Sequence, residues 1–357
     1  MKIVLFTGDG IGPEISAATN TVLSTVRDHL SLDLDVEVQP VGLSELDAHG
    51  TTAPSVVWDL VEECDGAILA PLSTYAYPPL DKGGINLSSE FRTKLDLTSN
   101  IRPCASLCEV GCAMDLVVVR ENTEGFYAVR TMYQGAGEFM PDPDSAFALR
   151  KITRLATRRV ATTAFELAAE RRKKVSVIHK ANVLKLSDGL FLDEVRQVSR
   201  QFPTVELEEV LVDAAASLLV RDPSAFDVVL TSNMFGDILS NLTAELSGGL
   251  GLGPSLNVGD DFAVAQASHG SAPDIAGQNI ANPTALILSS AMLLDWYGSQ
   301  SSASREKYQM AATVIGSAVR EVLSRPGTRT QDMGGNFSTT NYTRAVCDAL
   351  SAAVVTA

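Results

Sequence analysis

Residues Val228 to Thr231, in the stretch FDVVLTSNMFGDILSN, carry no charge, and a segment with helical period follows at once. A strand with one face in water alternates apolar and polar side chains, whereas an unbroken run has to be covered on both faces. A sheet sandwiched between helices meets that demand. Similar runs open the chain at Ile3 to Phe6 and return in DGAILAPL over 65–72. A strand is expected over 35–42 and a helix over 54–63, so the order reads β-α-β with parallel strands and the fold class is α/β. At 357 residues the chain exceeds the size at which single cores stop growing, so two domains are expected, and 45% apolar residues suffice to fill them.

The charge balance narrows the partners. The formal net charge is −15, the pI is near 4.7, and Lys and Arg form no long block, which speaks against nucleic acid. An anionic ligand would need its Arg gathered locally against the field of the whole chain. Five Cys, an odd number, do not make a disulfide framework. Cys104, Cys108 and Cys112 recur every four residues, but no nearby His or fourth Cys completes a zinc set, and they read as ordinary thiols. With no basic leader and no run of 18 apolar residues, the expectation is a cytoplasmic protein without a membrane partner.

Along the chain, GDGIGPE follows the first strand as a tight turn into a helix, with Pro13 in its first turn. Its glycines are spaced GxGxG, and no strand about 20 residues on ends in an acidic residue, so a Rossmann dinucleotide fingerprint is rejected. Residues 73–91 form a long irregular segment of the kind that usually carries function. Arg92, Arg102 and Arg120 follow, the last at the end of the strand DLVVVR. A guanidinium is a planar fork matched to carboxylates, so three converging Arg would suit a di- or tricarboxylate; singly, each could equally be a solvated surface group. Tyr127 lies in a loop after that strand, and 134–148 reads as a polar excursion or arm. A long helix is expected over 153–171, and the strand KVSVIHK presents Lys180, a candidate acid–base group, before Asn182 and a helix through Leu190. Residues 204–213 are expected as a strand ending at Asp213; helices follow from 284, over 308–323 and over 340–350.

The stretch 226–282 holds the densest chemistry. Asp237 and Asn241 are four apart on the expected helix and so share a face, the arrangement a hard cation such as Mg²⁺ or Mn²⁺ wants from oxygen ligands. The loop QASHGSAPDIAGQNIAN, rich in small residues, could wrap a flat ligand. Its Asp274 could accept from a ribose diol and repel a 2′-phosphate.

These residues resemble a known family. GDGIGPE, NIRP, VRENTEGFY, HKANVLKLSDGLF, FDVVLTSNMFGDILS, HGSAPDIAGQNIANP and GTRTQDMGG occur in order and at compatible spacing over nearly the whole chain. Together they are similar to the β-decarboxylating dehydrogenases that act on isocitrate and 3-isopropylmalate. The resemblance implies a two-domain α/β fold that is not a Rossmann fold. Residues 1–97 plus 245–357 would form a large cofactor-binding domain, and 98–244 a smaller one with the dimer contact. It implies a homodimer in which each active site borrows residues from the partner.

By the same resemblance, Arg92, Arg102 and Arg120 look like binders of the malate carboxylates, and Tyr127 and the partner subunit's Lys180 like the acid–base pair. Asp237, Asn241 and Asp213 of the partner subunit look like the ligands of Mg²⁺ or Mn²⁺. Ile11, Thr74, Asn182, His269, Gly270, Ser271, Ala272, Asp274, Ile275 and Asn282 look like cofactor contacts. Asp274-Ile275 resembles the NAD-using pattern, where NADP users carry Lys-Tyr; a carboxylate facing a 2′-phosphate would cost on the order of several kcal/mol. NAD is the expected cofactor. The implied chemistry is oxidation at C2 of a 3-substituted malate, loss of the C3 carboxylate as CO₂, and protonation by Tyr127.

Two positions depart from the family pattern. Asn241 stands where the helix usually carries a second metal-binding Asp, and Gln266 where an acidic residue usually precedes the His by three. Both remove negative charge, which leaves a non-catalytic regulatory subunit or carboxylate-binding relative as an alternative. In this family the residues just before the first Arg face the C3 substituent. Isopropylmalate enzymes place leucine-like residues there; isocitrate enzymes place Ser and Asn six and four positions before it. Here those positions are Asn86 and Ser88, the same two types exchanged. A polar or anionic C3 substituent is therefore expected, isocitrate first, with homoisocitrate or a phosphonomethyl malate as relatives and 3-isopropylmalate as the alternative.

Overall fold

The computed structural model describes residues 1–127, 132, 137–300 and 305–356. Its strands, in chain order, are β1 (Lys2–Phe6), β2 (Asp35–Gln39), β3 (Gly66–Leu69), β4 (Ser99–Ala105), β5 (Asp115–Glu121) and β6 (Glu138–Asp142). They continue with β7 (Ser145–Ala148), β8 (Lys174–His179), β9 (Glu206–Leu211), β10 (Val228–Thr231), β11 (Leu256–Val258) and β12 (Ala263–Gln266). Ten of them form one sheet in the order β2-β1-β3-β12-β11-β4-β5-β10-β8-β9, and β6 and β7 pair separately. The expected parallel pairing holds on both flanks, β2-β1-β3-β12 and β5-β10-β8-β9. The centre departs from it: β11 runs antiparallel to both β12 and β4, and β4 antiparallel to β5.

The helices are α1 (Gly12–Leu30), α2 (Leu43–His49), α3 (Val56–Glu63), α4 (Leu87–Lys94), α5 (Arg154–Ala169) and α6 (Ser187–Ser199). They end with α7 (Val212–Arg221), α8 (Asn233–Leu246), α9 (Thr284–Gln300), α10 (Arg305–Ser324) and α11 (Thr339–Thr356). Alternation along the strands explains why the runs are apolar throughout. Ile3 and Leu5 of β1 pack into the core under α1, α9, α10 and α11, whereas Val4 and Phe6 face the opposite core with α3 and α4. On the other flank Val117, Val119, Val228 and Leu230 face α5 and α6, and Leu116, Val118 and Val229 face α7 and α8.

Three sequence expectations are corrected. The helix after Asn182 starts only at Ser187, because Lys180 to Leu186 is a turn in which Val183 and Leu184 donate to the Lys180 carbonyl. Asp213 is not a strand end but lies in the first turn of α7, since β9 stops at Leu211. The excursion over 134–148 is, from Glu138 on, the β6–β7 hairpin with Phe139 and Phe147 stacked in solvent; residues 134–136 lie outside the described residues. Among the described residues no helix is long and apolar enough to cross a membrane, and all five cysteines are free.

Candidate active site

The site is built where parallel strands end. In open α/β sheets, crevices form beyond the carboxyl ends of the strands. Here Pro71 follows β3, Arg120 ends near the tip of β5 and Gln266 is the last residue of β12. A cavity of about 260 Å³ opens there, lined by Asn86, Ser88, Ser89, Arg92, Arg102, Arg120, Tyr127, Asp237, Gln266 and Thr74 among others. All three Arg singled out in the sequence thus meet at one hollow, with Tyr127 and Asp237. Thr74, expected at the cofactor, lines this cavity instead.

Each guanidinium position has a cause. Gly236 leaves room for the Arg120 stem, because a Cβ there would come within 2.6 Å of Arg120 Cγ. Arg120 then donates through Nε and Nη2 to Asn233 Oδ1 (3.1 and 2.7 Å) and through Nη1 to Asp237. Asn233, at the start of α8, was not singled out in the sequence, because its grip on Arg120 has no local signal. Arg102 is seated by a buried polar chain under the middle of the sheet. Its Nε donates to Asn100 Oδ1 (2.7 Å), and Asn100 Nδ2 donates to Ser255 Oγ (2.7 Å) and Asn257 Oδ1 (3.0 Å). Burial, and next the neighbouring Arg120, pull Arg102 down to about 10, which still leaves it charged at neutral pH. Arg92 rides on α4, whose N-cap Asn86 accepts from the Ser89 N–H (3.1 Å), so the start of this helix borders the cavity. Unmet N–H groups there favour an anion.

A second hollow of about 210 Å³ adjoins it, sharing His269 and Gly270, and is lined by Ile11, Ala272, Ile275, Asn282 and Asp332 as well. Four of the expected cofactor contacts do not line it: Thr74, Asn182, Ser271 and Asp274. Ser271 is buried, its hydroxyl bonded to Ser73 (2.7 Å) and its carbonyl accepting from the Ile11 N–H (2.8 Å). Asp274 is exposed and its side chain stays outside the lining. Asp332, which accepts from Asn282 Nδ2 (2.9 Å), was not singled out; it sits in the GTRTQDMGG motif. Gly10, at φ +59°, lets the first turn press against this loop, where a Cβ would meet the Ser271 carbonyl at 2.0 Å. His269 fits a ligand-binding role: its Nε2 is buried without a partner among the described residues, and burial lowers its pKa, keeping the ring neutral. An unmet buried nitrogen at the floor of a groove suits a bound dinucleotide.

The remaining expected residues form a separate group. Lys180 Nζ lies 2.5 Å from Asp213 Oδ1, and that contact holds Asp213 below the usual carboxylate range. Neither residue, nor exposed Asn182, lines either hollow. The Lys180 N–H is fixed by buried Asp188 (2.6 Å), itself paired with Arg150 (2.5 Å). Asp237 and Asn241 supply hard oxygen donors of the kind Mg²⁺ or Mn²⁺ takes, but Asn241 Oδ1 lies 3.3 Å from Arg102 Nη1. The described residues of one chain contain no group of three or more His, Cys, Asp or Glu placed to hold a metal. A cation would fit here only with further oxygen donors beyond those that the described residues of one chain bring together.

A polar cavity with three guanidinium groups, a phenol and a carboxylate, beside a groove at the strand ends, defines an α/β enzyme site for a small polycarboxylate. Residues 2–350 match the isocitrate/isopropylmalate dehydrogenase family, and the chain belongs to it. It is 41% identical over 353 residues to an isocitrate/homoisocitrate dehydrogenase of Thermus thermophilus, covering 98% of each chain. To the mitochondrial catalytic subunit 5 of the NAD isocitrate dehydrogenase of Arabidopsis thaliana it is 40% identical over 356 residues, covering 97% of this chain and 87% of that one. The crystal structure of isocitrate dehydrogenase from Methylococcus capsulatus superposes with a TM-score of 0.86 at 35% identity, over 98% of this chain and 99% of that one.

Proposed function

We propose that this chain catalyses the NAD- and divalent-cation-dependent oxidative decarboxylation of a 3-substituted malate whose C3 substituent is polar or anionic. Isocitrate is the first candidate, followed by homoisocitrate and a phosphonomethyl malate. The observation that carries this reading is that Asn86, Ser88, Ser89 and Gln266 form a polar wall of the same cavity that the three Arg line. An isopropyl group against that wall would leave amides and hydroxyls unpaired, at about 1 kcal/mol or more each. NAD is supported by the acidic residue at 274 and by the NAD-type relative.

In this reading Arg92, Arg102 and Arg120 grip the carboxylates and fix C2 and C3 in place. Lys180 of the partner subunit takes the proton of the C2 hydroxyl, and Tyr127 delivers a proton to C3 after CO₂ has left. When bound, the cation would supply Lewis acidity and the nicotinamide ring a hydride acceptor. Asp237, Asn241 and Asp213 of the partner subunit would hold the cation. A homodimer with shared sites is supported by the position of Lys180 and Asp213 away from the cavity, beside Val183 (66% exposed) and Leu186 (90% exposed). The same reading divides the chain into 1–97 plus 245–357 and 98–244.

A regulatory role is the second reading, favoured by the engagement of Asn241 with Arg102. One panel tests both: kcat/KM for isocitrate, homoisocitrate, 3-isopropylmalate and phosphonomethyl malate, with NAD or NADP, with and without Mg²⁺ or Mn²⁺. Preference for 3-isopropylmalate overturns the polar-substituent reading. Absence of metal-dependent NADH production from every acid supports the regulatory one.

A further inference from the structure

Gln266 is unlike the other polar groups of the cavity because its backbone is pinned and its side chain is aimed by a partner far away in sequence. As the last residue of β12 it pairs with Leu69 of β3. Its N–H donates to the Ser255 carbonyl (2.9 Å) and its own carbonyl accepts from Ser289 Oγ (3.1 Å). Ser88, in the first turn of α4, donates its hydroxyl to Gln266 Oε1 at 3.2 Å. With the oxygen side of the amide taken, the nitrogen is the end left to meet a ligand, and it has no hydrogen-bond partner among the described residues.

We infer that Gln266 is a specificity-determining residue: its amide nitrogen donates to an anionic oxygen on the C3 substituent of the substrate, with Ser88 holding the amide in that orientation. This rests on the polar-substituent reading above. A carboxylate of the same shape would present only acceptors, and a negative charge, to the same oxygen. It would also compete for the Ser88 hydroxyl without supplying a donor in return. The residue selects through hydrogen-bond polarity while the three Arg supply the bulk of the attraction.

The test compares wild type, Gln266→Glu and Gln266→Met by calorimetry on the full-length protein with Mg²⁺. Two ligands without a hydroxyl, which cannot turn over, serve as probes: tricarballylate, with an anionic substituent, and isopropylsuccinate, with an apolar one. In Gln266→Glu, tricarballylate binding should weaken roughly 10- to 100-fold, the range for loss of a hydrogen bond to a charged group, while isopropylsuccinate changes less than about threefold. Gln266→Met, which loses the donor without adding charge, should weaken tricarballylate less than Gln266→Glu does, but still several-fold. Equal loss for both probes, no loss for either, or a change confined to NADH affinity overturns the inference. Turnover of the anionic acids by wild type alongside unaltered selectivity in Gln266→Glu sinks this inference alone. A wild type that prefers isopropylsuccinate sinks the functional reading as well.

Discussion

Lys180 and Asp213 touch each other, Nζ to Oδ1 at 2.5 Å, yet stand outside the cavity that gathers Arg120 and Asp237. Both pairs carry groups the proposed chemistry needs at one point. The shared-site reading resolves this by letting one chain supply the cavity and its partner the amine and second carboxylate.

Subunit mixing tests that directly. Lys180→Met and Asp237→Asn should each be inactive alone, since each lacks one component at both sites. Co-refolded in equal amounts, they should recover about a quarter of wild-type activity, because half the dimers are mixed and one of their two sites is intact. No recovery in the mixture would place all the catalytic groups within one chain.

The cation site should respond to position 241. Asn241→Asp restores a charged ligand one helical turn from Asp237 and should lower the Mn²⁺ concentration for half-maximal binding by about tenfold. The new carboxylate would also face Arg102, whose Nη1 now lies 3.3 Å from the Asn241 oxygen, and that ion pair offsets part of the gain. Titration with Mn²⁺ in the presence of substrate, followed by calorimetry, checks it; unchanged or weaker binding counts against 241 as a ligand position.

Tyr77 anchors the irregular segment 73–86. Its hydroxyl donates to Asp9 Oδ2 (2.6 Å), and buried Asp9 also accepts from the N–H groups of Leu43 and Ser73 (2.7 and 2.8 Å). Tyr77→Phe should cost about 1–2 kcal/mol of stability, the loss of one hydrogen bond to a carboxylate with others left in place. Because Thr74 lies three residues away on the cavity wall, KM should rise with kcat little changed. A wild-type denaturation midpoint and KM would show the bond to be idle.

Glu124 gives the stability a pH dependence. Burial pushes its carboxyl up to about 7, against partial relief from the Thr153 N–H and hydroxyl; Glu121 adds to the rise, and Lys151 opposes it. In the unfolded chain the same carboxyl titrates near 4.5. Between those values the folded state holds more protons than the unfolded one, so this contribution to stability is present below pH 4.5 and is lost as pH rises to about 7. Glu124→Gln should remove the slope. Urea midpoints of both proteins at pH 5, 6, 7 and 8 should show wild type falling relative to the variant up to pH 7, then running parallel. A constant offset across the series would refute it.

Much of this is legible in the sequence. Unbroken apolar runs at Ile3 to Phe6 and Val228 to Thr231 required cover on both faces, and the sheet has it. Asp237 and Asn241 share one face of α8 because they are four residues apart on it. Less legible were termini: Asp213 looked like the end of a strand, but β9 stops two residues earlier and α7 takes it up. Apolar period alone does not say where one element yields to the next when both are half-buried. Where Ser271 and Asp274 point was hard to read for a similar reason, since a Gly- and Pro-rich loop has no period to say which side chain points inward.

By itself, the sequence determined the layering, since the unbroken apolar runs of strands such as β1 and β10 decide that both of their faces must be buried. It also named most of the polar groups that line the cavity. Tertiary structure alone decided which of them meet. Ser88 and Gln266 are 178 residues apart and touch because β12 lies beside β3 while α4 passes over their ends. Arg102 faces Asp237 because β4 enters the sheet against the direction of β5. Periodicity is a property of neighbours along the chain, whereas strand order and direction follow from how the whole set of apolar faces packs, which no local pattern records.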